Sequence, residues 1–381
     1  MSAGQDRKLV AHVVYSFKAG GLENVIVQLI NRLPADRFRH VVIALTECSE
    51  EFAQRVTVPG VEFISLHKPP GQIFRLYPRL WRLLRQLRPA VLHTCNLAAL
   101  EVTPVAWVAG VPLRVHAEHG WIVADPDGSN PRFRLLRRVF KPFVSHFIAV
   151  SRQLSDYLTG PIGVAPGKVS LLANGVDTEA FRPRADNEAL PASWPFGREH
   201  WVLGTVGRLD PVKNQKLLLD ALALIRSSDT ELAARLRLVI VGEGGERVAL
   251  EAHIAELGLQ DAVWLPGSRS DVAQLLRTMD CFVLPSIAEG TSCTLQEAMA
   301  SGLPIIATSV GGNPDLLAPD ACGLLVPSGD AAALAAAVQQ VFAGQGEAAG
   351  MPARARQSAL SRHSLAGMIA AYEKLFDRAG H

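Results

Sequence analysis

The stretch Pro285-Ser-Ile-Ala-Glu-Gly-Thr-Ser-Cys-Thr-Leu-Gln-Glu-Ala-Met-Ala-Ser-Gly302 decides how this chain is read. The apolar run Cys281-Phe-Val-Leu-Pro285 leads into it and predicts a strand, and a helix-period segment carrying Glu297 follows. Glu289 then stands in the turn at a strand's carboxyl end, beside the free amides of a helix start. In open α/β sheets ligands bind at that place, and helix amino ends accept anions. Glu289 and Glu297 lie eight positions apart, a spacing that many solvated helices share. Set beside free amides, the two carboxylates suit a ligand with both phosphates and hydroxyls, such as a nucleotide sugar.

Working outward, short apolar runs alternate with helical segments along the whole chain. Strands are predicted near 10–15, 40–45, 61–65, 90–93, 113–117, 145–150 and 169–172, and again near 202–206, 236–241, 262–265, 281–284, 304–307 and 323–326. Such alternation predicts α/β architecture with parallel sheets covered by helices on both faces, and it occurs twice. The 381 residues are too many for one ordinary core. Pro183-Arg-Ala-Asp-Asn-Glu-Ala-Leu-Pro-Ala-Ser-Trp-Pro195, with three prolines and no period, is the natural linker. The expected organisation is a first doubly wound domain over 1–182, a linker over 183–200, a second domain over 201–351, and a C-terminal helix within 352–381 that packs back across the linker. Two such domains leave a cleft between them, a favoured place for ligands.

Composition excludes several classes. With 49% hydrophobic and 19% charged residues, the chain is globular rather than disordered. Its five scattered cysteines contain no C-x-x-C pair, which argues for a reducing compartment and against a structural zinc site. No secretory signal is visible, and no apolar segment approaches the length of a membrane span. The expected location is therefore the cytoplasm. The net charge of +2 conceals an asymmetry: residues 1–190 hold 23 Lys+Arg against 16 Asp+Glu, and residues 191–381 hold 15 against 20. There is no G-x-S-x-G elbow, Walker A loop or H-E-x-x-H motif.

Other motifs sit at predicted strand ends. Gly20-Gly21 follows the first strand and either serves the turn alone or lets backbone approach a ligand. Arg208 and Lys213 straddle the corresponding turn of the second half, where their donors can neutralise a departing diphosphate. His119 follows the strand near 113–117 and can hydrogen-bond a sugar hydroxyl, although a lone His is more often structural. Asp125-Pro-Asp127 has the D-x-D form of a cation site, but its Pro/Gly/Asn surroundings make these aspartates turn formers. Two stretches, 74–88 and 132–141, carry five cations each and no acid. Their apolar stripes suit an anionic membrane surface as well as a core. No recognition motif points to nucleic acid.

Taken together the motifs resemble the retaining glycosyltransferases of family 4, which have the GT-B fold of two Rossmann-like domains. The resemblance runs in order through Gly20-Gly-Leu-Glu23, Glu118-His-Gly120, Ala149-Val-Ser151, Asn174-Gly-Val-Asp177, Gly207-Arg-Leu-Asp-Pro-Val-Lys-Asn214, Gly242-Glu-Gly244, Glu289 to Glu297, and Val310-Gly-Gly-Asn-Pro-Asp315. Gly120 to Asn130 and Glu289 to Thr294 look like a subgroup from exosortase-linked bacterial exopolysaccharide clusters. The resemblance implies that Arg208 and Lys213 hold the donor diphosphate, so that no metal or other cofactor is needed. It gives Glu297 the ribose hydroxyls and Glu289 the hydroxyls of the donor sugar. Gly290, Thr291, Gly311 and Gly312 would line the donor, Gly20 and Gly21 the phosphate side, and His119 would contact the sugar near the reaction centre. Cys95 departs from the pattern, because many members carry His or Arg there. The implied partners are a nucleotide-sugar donor, a glycan or lipid-linked acceptor, and the cytoplasmic face of the membrane. An epimerase of the same fold is the alternative, and a non-catalytic binding module is a second rival.

Overall fold

Runs such as Leu236-Arg-Leu-Val-Ile-Val241 are apolar on both sides of the strand, the pattern of parallel sheets sandwiched between helices. The computed structural model describes residues 7–379 except 19, 70, 72, 122–124, 126, 187 and 229. Parts of the Gly120–Asn130 segment of the resemblance thus lie outside the described residues. The chain divides into two units: residues 1–174 with 366–381, and residues 175–365.

Unit 1 holds a sheet of β1 (Lys8–Val14), β2 (Phe38–Ala44), β3 (Glu62–Ser65), β4 (Val91–Cys95), β5 (Leu113–Glu118), β6 (His146–Ala149) and β7 (Val169–Leu171). Their order is β3-β2-β1-β4-β5-β6-β7, and every pair is parallel. Unit 2 holds β8 (Trp201–Val206), β9 (Leu236–Val241), β10 (Val263–Gly267), β11 (Cys281–Leu284), β12 (Ile305–Thr308) and β13 (Leu324–Val326), ordered β10-β9-β8-β11-β12-β13 and also parallel. All thirteen expected strands are present. In each sheet the strand order reverses once, between β1 and β4 and between β8 and β11. Ligands of open α/β sheets sit beside such a reversal, at the carboxyl ends of the strands.

The expected linker is packed against unit 2. Trp194 stacks edge-on to Trp264 with centroids 5.6 Å apart, Arg277 donates to Glu188 at 2.6 Å, and Phe196 packs against the core of β11 and β12. Proline content shows that the segment is irregular; it does not show that it is loose. The expected single C-terminal helix is two. Met351–Arg362 packs on unit 2 through Met351, Ala355 and Ala359, and Leu365–Phe376 supplies Tyr372 and Phe376 to unit 1. The break at His363–Ser364 has no proline or glycine. It is imposed by Val176, whose N–H donates to the His363 carbonyl at 2.8 Å and whose carbonyl accepts from Leu365 N–H at 2.9 Å. The two chain passages between units, near 175 and 365, are therefore tied side by side.

Candidate functional site

In unit 2 the residues expected to handle a donor gather around the strand reversal. After β8 the chain forms a short turn at Pro211–Lys213, capped by Asp210, which accepts from Val212 N–H at 3.0 Å. After β11 it passes through Ser286 and Glu289 to the helix Cys293–Ala300, whose Ser292 cap accepts from Leu295 N–H at 3.3 Å. Ile287 N–H donates to the Val212 carbonyl at 2.8 Å and locks the two loops together.

Lys213 Nζ then reaches Glu289 Oε1 at 2.7 Å, and Ser286 Oγ donates to the same oxygen at 2.6 Å. The Glu289 side chain is 7% exposed and that of Lys213 22%, so the pair is charge-assisted and largely shielded from water. Arg208 is the opposite case: it is 71% exposed and meets only Asp210, at 3.8 Å, among the described residues. A cation held only by so long and exposed a contact is available to an anionic ligand. Glu297 lies one turn into the helix Cys293–Ala300 and is half-buried.

The third loop needs a glycine at Gly311 for close approach. Gly311 has φ of +54°, and a Cβ there would collide with the Glu289 carbonyl oxygen. Gly312 N–H donates to the Gly290 carbonyl at 2.9 Å. Buried Thr308 donates to the Ser286 carbonyl at 2.6 Å, and buried Asn313 donates to the Thr308 carbonyl at 3.0 Å. The contacts thus join Lys213, Glu289, Gly290, Gly311 and Gly312, while Arg208, Thr291 and Glu297 lie on the same loops and helix. Ser286 is the member that motif reading passed over, although it lies inside the stretch that opened the analysis.

In unit 1 the loops after β1, β4 and β5 carry the remaining expected residues. Gly20 is extended (φ −170°) and precedes the helix Gly21–Arg32, with the Glu23 carboxylate where its side chain would be. His119 is half-buried, and its N–H donates to Asn96 Oδ1 at 2.8 Å. Burial is the main influence on its ring and, with His116, lowers the pKa to about 4 against the opposing pull of Glu118 and Asn174. Beneath it His93 is held at about 3, chiefly by burial and then by His119 and His116.

Glu118 and Arg137 fix the end of β5. Arg137 is 2% exposed, donating from Nε to Glu118 Oε1 at 2.6 Å and from Nη2 to Oε2 at 3.2 Å. This revises the picture of 132–141 as a free basic stretch. Arg134 donates to the Gly128 carbonyl, Arg138 to that of Pro161, and Lys141 to those of Ile162 and Gly163. The stretch 74–88 differs: Phe74 and Trp81 are exposed, and Arg75, Arg82, Arg85 and Arg88 have no side-chain partner among the described residues. Asp125 and Asp127 accept backbone N–H bonds from Asn130 and Ser129 at 2.9 and 3.0 Å, as turn-forming aspartates do.

Two family models match the chain, one described as Glycosyltransferase Family 4 over residues 19–180 and one described as Glycosyl transferases group 1 over residues 186–359. A GDP-mannose-dependent alpha-mannosyltransferase of Mycobacterium tuberculosis (strain CDC 1551 / Oshkosh) is 30% identical over 359 residues, covering 84% of each chain. The UDP-Gal:alpha-D-GlcNAc-diphosphoundecaprenol alpha-1,3-galactosyltransferase of Escherichia coli is 27% identical over 341 residues, covering 87% of each. Among solved structures, HepE of Anabaena in complex with UDP and glucose superimposes with a TM-score of 0.79 at 20% identity, over 98% of this chain and all of its own. At that identity the likeness is one of fold.

Proposed function

The chain belongs to glycosyltransferase family 4, and on that premise we propose that it moves a sugar from a nucleoside diphosphate to a hydroxyl of a glycan or lipid-linked acceptor, with retention and without a metal at the diphosphate. The observation that carries this reading is the pair at the β8/β11 reversal, where Lys213 meets the buried carboxylate Glu289 at 2.7 Å, with Arg208 exposed at the start of the same turn. Leaving-group charge is the main barrier in such a transfer, and preorganised cations stabilise it where it develops. Arg208 is open to solvent and supplies a donor fork to the phosphates. Lys213 is held in place by Glu289, so its charge is positioned before substrate arrives. Glu289 then has a second duty, accepting from hydroxyls of the donor sugar, and Glu297 takes the ribose. Gly311 lets the third loop close against Glu289 without a side chain in the way.

Retention fits relatives whose names specify alpha products, since an α-linked donor gives an α-linked product only when configuration is kept. No protein nucleophile is invoked: the departing diphosphate takes the acceptor's proton on the face where it leaves. His119 contributes as a neutral hydrogen-bonding group, consistent with its lowered pKa. The E. coli relative's name includes a diphosphoundecaprenol acceptor. Together with the unpaired arginines and exposed aromatics of 74–88, this supports a lipid-linked acceptor, a peripheral position on the membrane and a role in exopolysaccharide synthesis. No helix among the described residues is long and apolar enough to cross a membrane.

Saturation-transfer NMR against a panel of nucleotide sugars in EDTA tests the donor site. Binding of one donor, lost in Lys213→Ala, is the expected result. Binding that returns only when Mn²⁺ or Mg²⁺ is restored would overturn the metal-free account.

A further inference from the structure

We infer that His93, Cys95 and His119 form a binding site for a borderline-soft divalent cation, with Zn²⁺ the ion their chemistry fits. One ligand atom from each lies within 4.8 Å of the others, and Cys95 Sγ stands 3.7 Å from His93 Nε2. A tetrahedral zinc with bonds of about 2.3 Å to sulfur and about 2.0–2.1 Å to nitrogen separates those two atoms by about 3.6 Å. The pair is therefore already at a ligating distance. His93 and Cys95 alternate onto one face of β4, and His119 directly follows β5, which pairs with β4 in register from Val91 to Cys95. Two neighbouring strands thus fix all three donors. A thiolate with two imidazoles selects zinc and its relatives over Mg²⁺ or Ca²⁺, which require oxygen.

The surroundings supply what a zinc-bound imidazole needs. His93 Nδ1 lies 3.0 Å from His12 Nδ1, its register partner on β1, and His12 Nε2 lies 3.1 Å from His40 Nδ1. Each contact holds one proton, and each neutral ring carries one. When His93 donates from Nδ1 to His12, His12 donates from Nε2 to His40, and His93 Nε2 keeps its lone pair toward Cys95. The reverse polarity would place the proton on His93 Nε2, so the metal selects the first arrangement, in which the two imidazoles behind His93 receive its proton as a partner behind a metal ligand does. Tyr372 and Phe376 cover the line with ring centroids 5.5 and 5.8 Å from that of His93. On binding, the S–H bond of Cys95 breaks, sulfur bonds to zinc and the proton leaves to solvent. A bound ion would also withdraw His119 from sugar contact and so inhibit transfer; that consequence alone rests on the function proposed above.

The full-length protein, stripped with chelator, is titrated with Co²⁺ as a spectroscopic stand-in. One equivalent should produce a thiolate-to-cobalt charge-transfer band with four-coordinate visible bands, and Zn²⁺ should erase both. Cys95→Ser should lose the charge-transfer band, and His12→Gln should weaken binding about 10–100-fold. His119→Gln, at the half-buried member, should weaken it as well, and serves if Cys95→Ser fails to fold. Absence of the bands, bands that persist in Cys95→Ser, or unchanged affinity in His119→Gln would overturn the site whatever the enzyme's activity.

Discussion

Replacing Arg137 by Met keeps most of the side chain's bulk and removes its charge, leaving Glu118 buried without its counterion. Glu118 is 1% exposed. Burial pushes its pKa up, but Arg137 and then His116 outweigh that and hold it at about 2, against an ordinary 4.5. At about 1.4 kcal/mol per pH unit, the difference contributes about 3 kcal/mol to folding at neutral pH. Because the folded-state pKa is the lower one, this stability is present above about pH 4.5 and disappears as pH falls toward 2. Removing one member of a buried pair costs about 3–5 kcal/mol on independent grounds, so the two routes agree. Hydrogen exchange of peptides from β5 and β6 reads the loss within unit 1, free of the assumption that the whole chain unfolds in one step. Arg137→Met should lower protection there by about a hundredfold or more at pH 7. The double variant Glu118→Gln/Arg137→Met should recover much of it, because two matched neutral groups leave no stranded charge. A loss below about 1 kcal/mol at pH 7, or a double variant no more stable than the single one, would refute the reasoning.

Three further outcomes follow from the same structure. Gly311→Ala should abolish donor binding and lower the melting temperature well beyond Gly329→Ala, since Gly329 has φ of +79° with nothing near its absent side chain; equal behaviour in a thermal scan would remove the close-approach argument. A double-mutant cycle of Lys213→Met and Glu289→Gln, read by urea denaturation, should give a coupling of about 1–3 kcal/mol, and additivity would show that the 2.7 Å contact contributes nothing. Arg82→Glu with Arg85→Glu should weaken sedimentation with vesicles containing anionic lipid by at least roughly 30-fold, at about 1 kcal/mol per charge removed; unchanged sedimentation would sink the membrane reading of 74–88.

Most strands are legible because the central ones are apolar on both faces and end in Gly, Pro or a polar turn, whereas the edge strands β3 and β7 are short and partly polar. The donor cluster was legible for a related reason: its members follow β8, β11 and β12, and a motif at a strand end keeps its place whatever the helices do. The choice left open for 132–141, between a membrane surface and a core, is decided for Arg137 by Glu118, nineteen positions earlier, and helical periodicity carries no information about so distant a contact. The histidine line was invisible for the same reason. His40, His12 and His93 belong to three strands, adjacent only because the sheet runs β2-β1-β4. The broken C-terminal helix shows the opposite limit, since its interruption is set by Val176 and by no residue of the helix itself.

Unit 1 is completed by the last segment of the chain. Tyr372 and Phe376, both almost fully buried, lie against His93, while Lys8 and Arg37 pair with Asp377. On a ribosome moving at about 5–20 residues per second, the first 174 residues wait roughly 10–40 s for that segment. Unit 2 ends at residue 365 and can condense during the interval. The usual order of synthesis is thereby inverted: the half made first is finished last, and until then its β1 and β4 histidines lack the aromatic cover that Tyr372 and Phe376 provide.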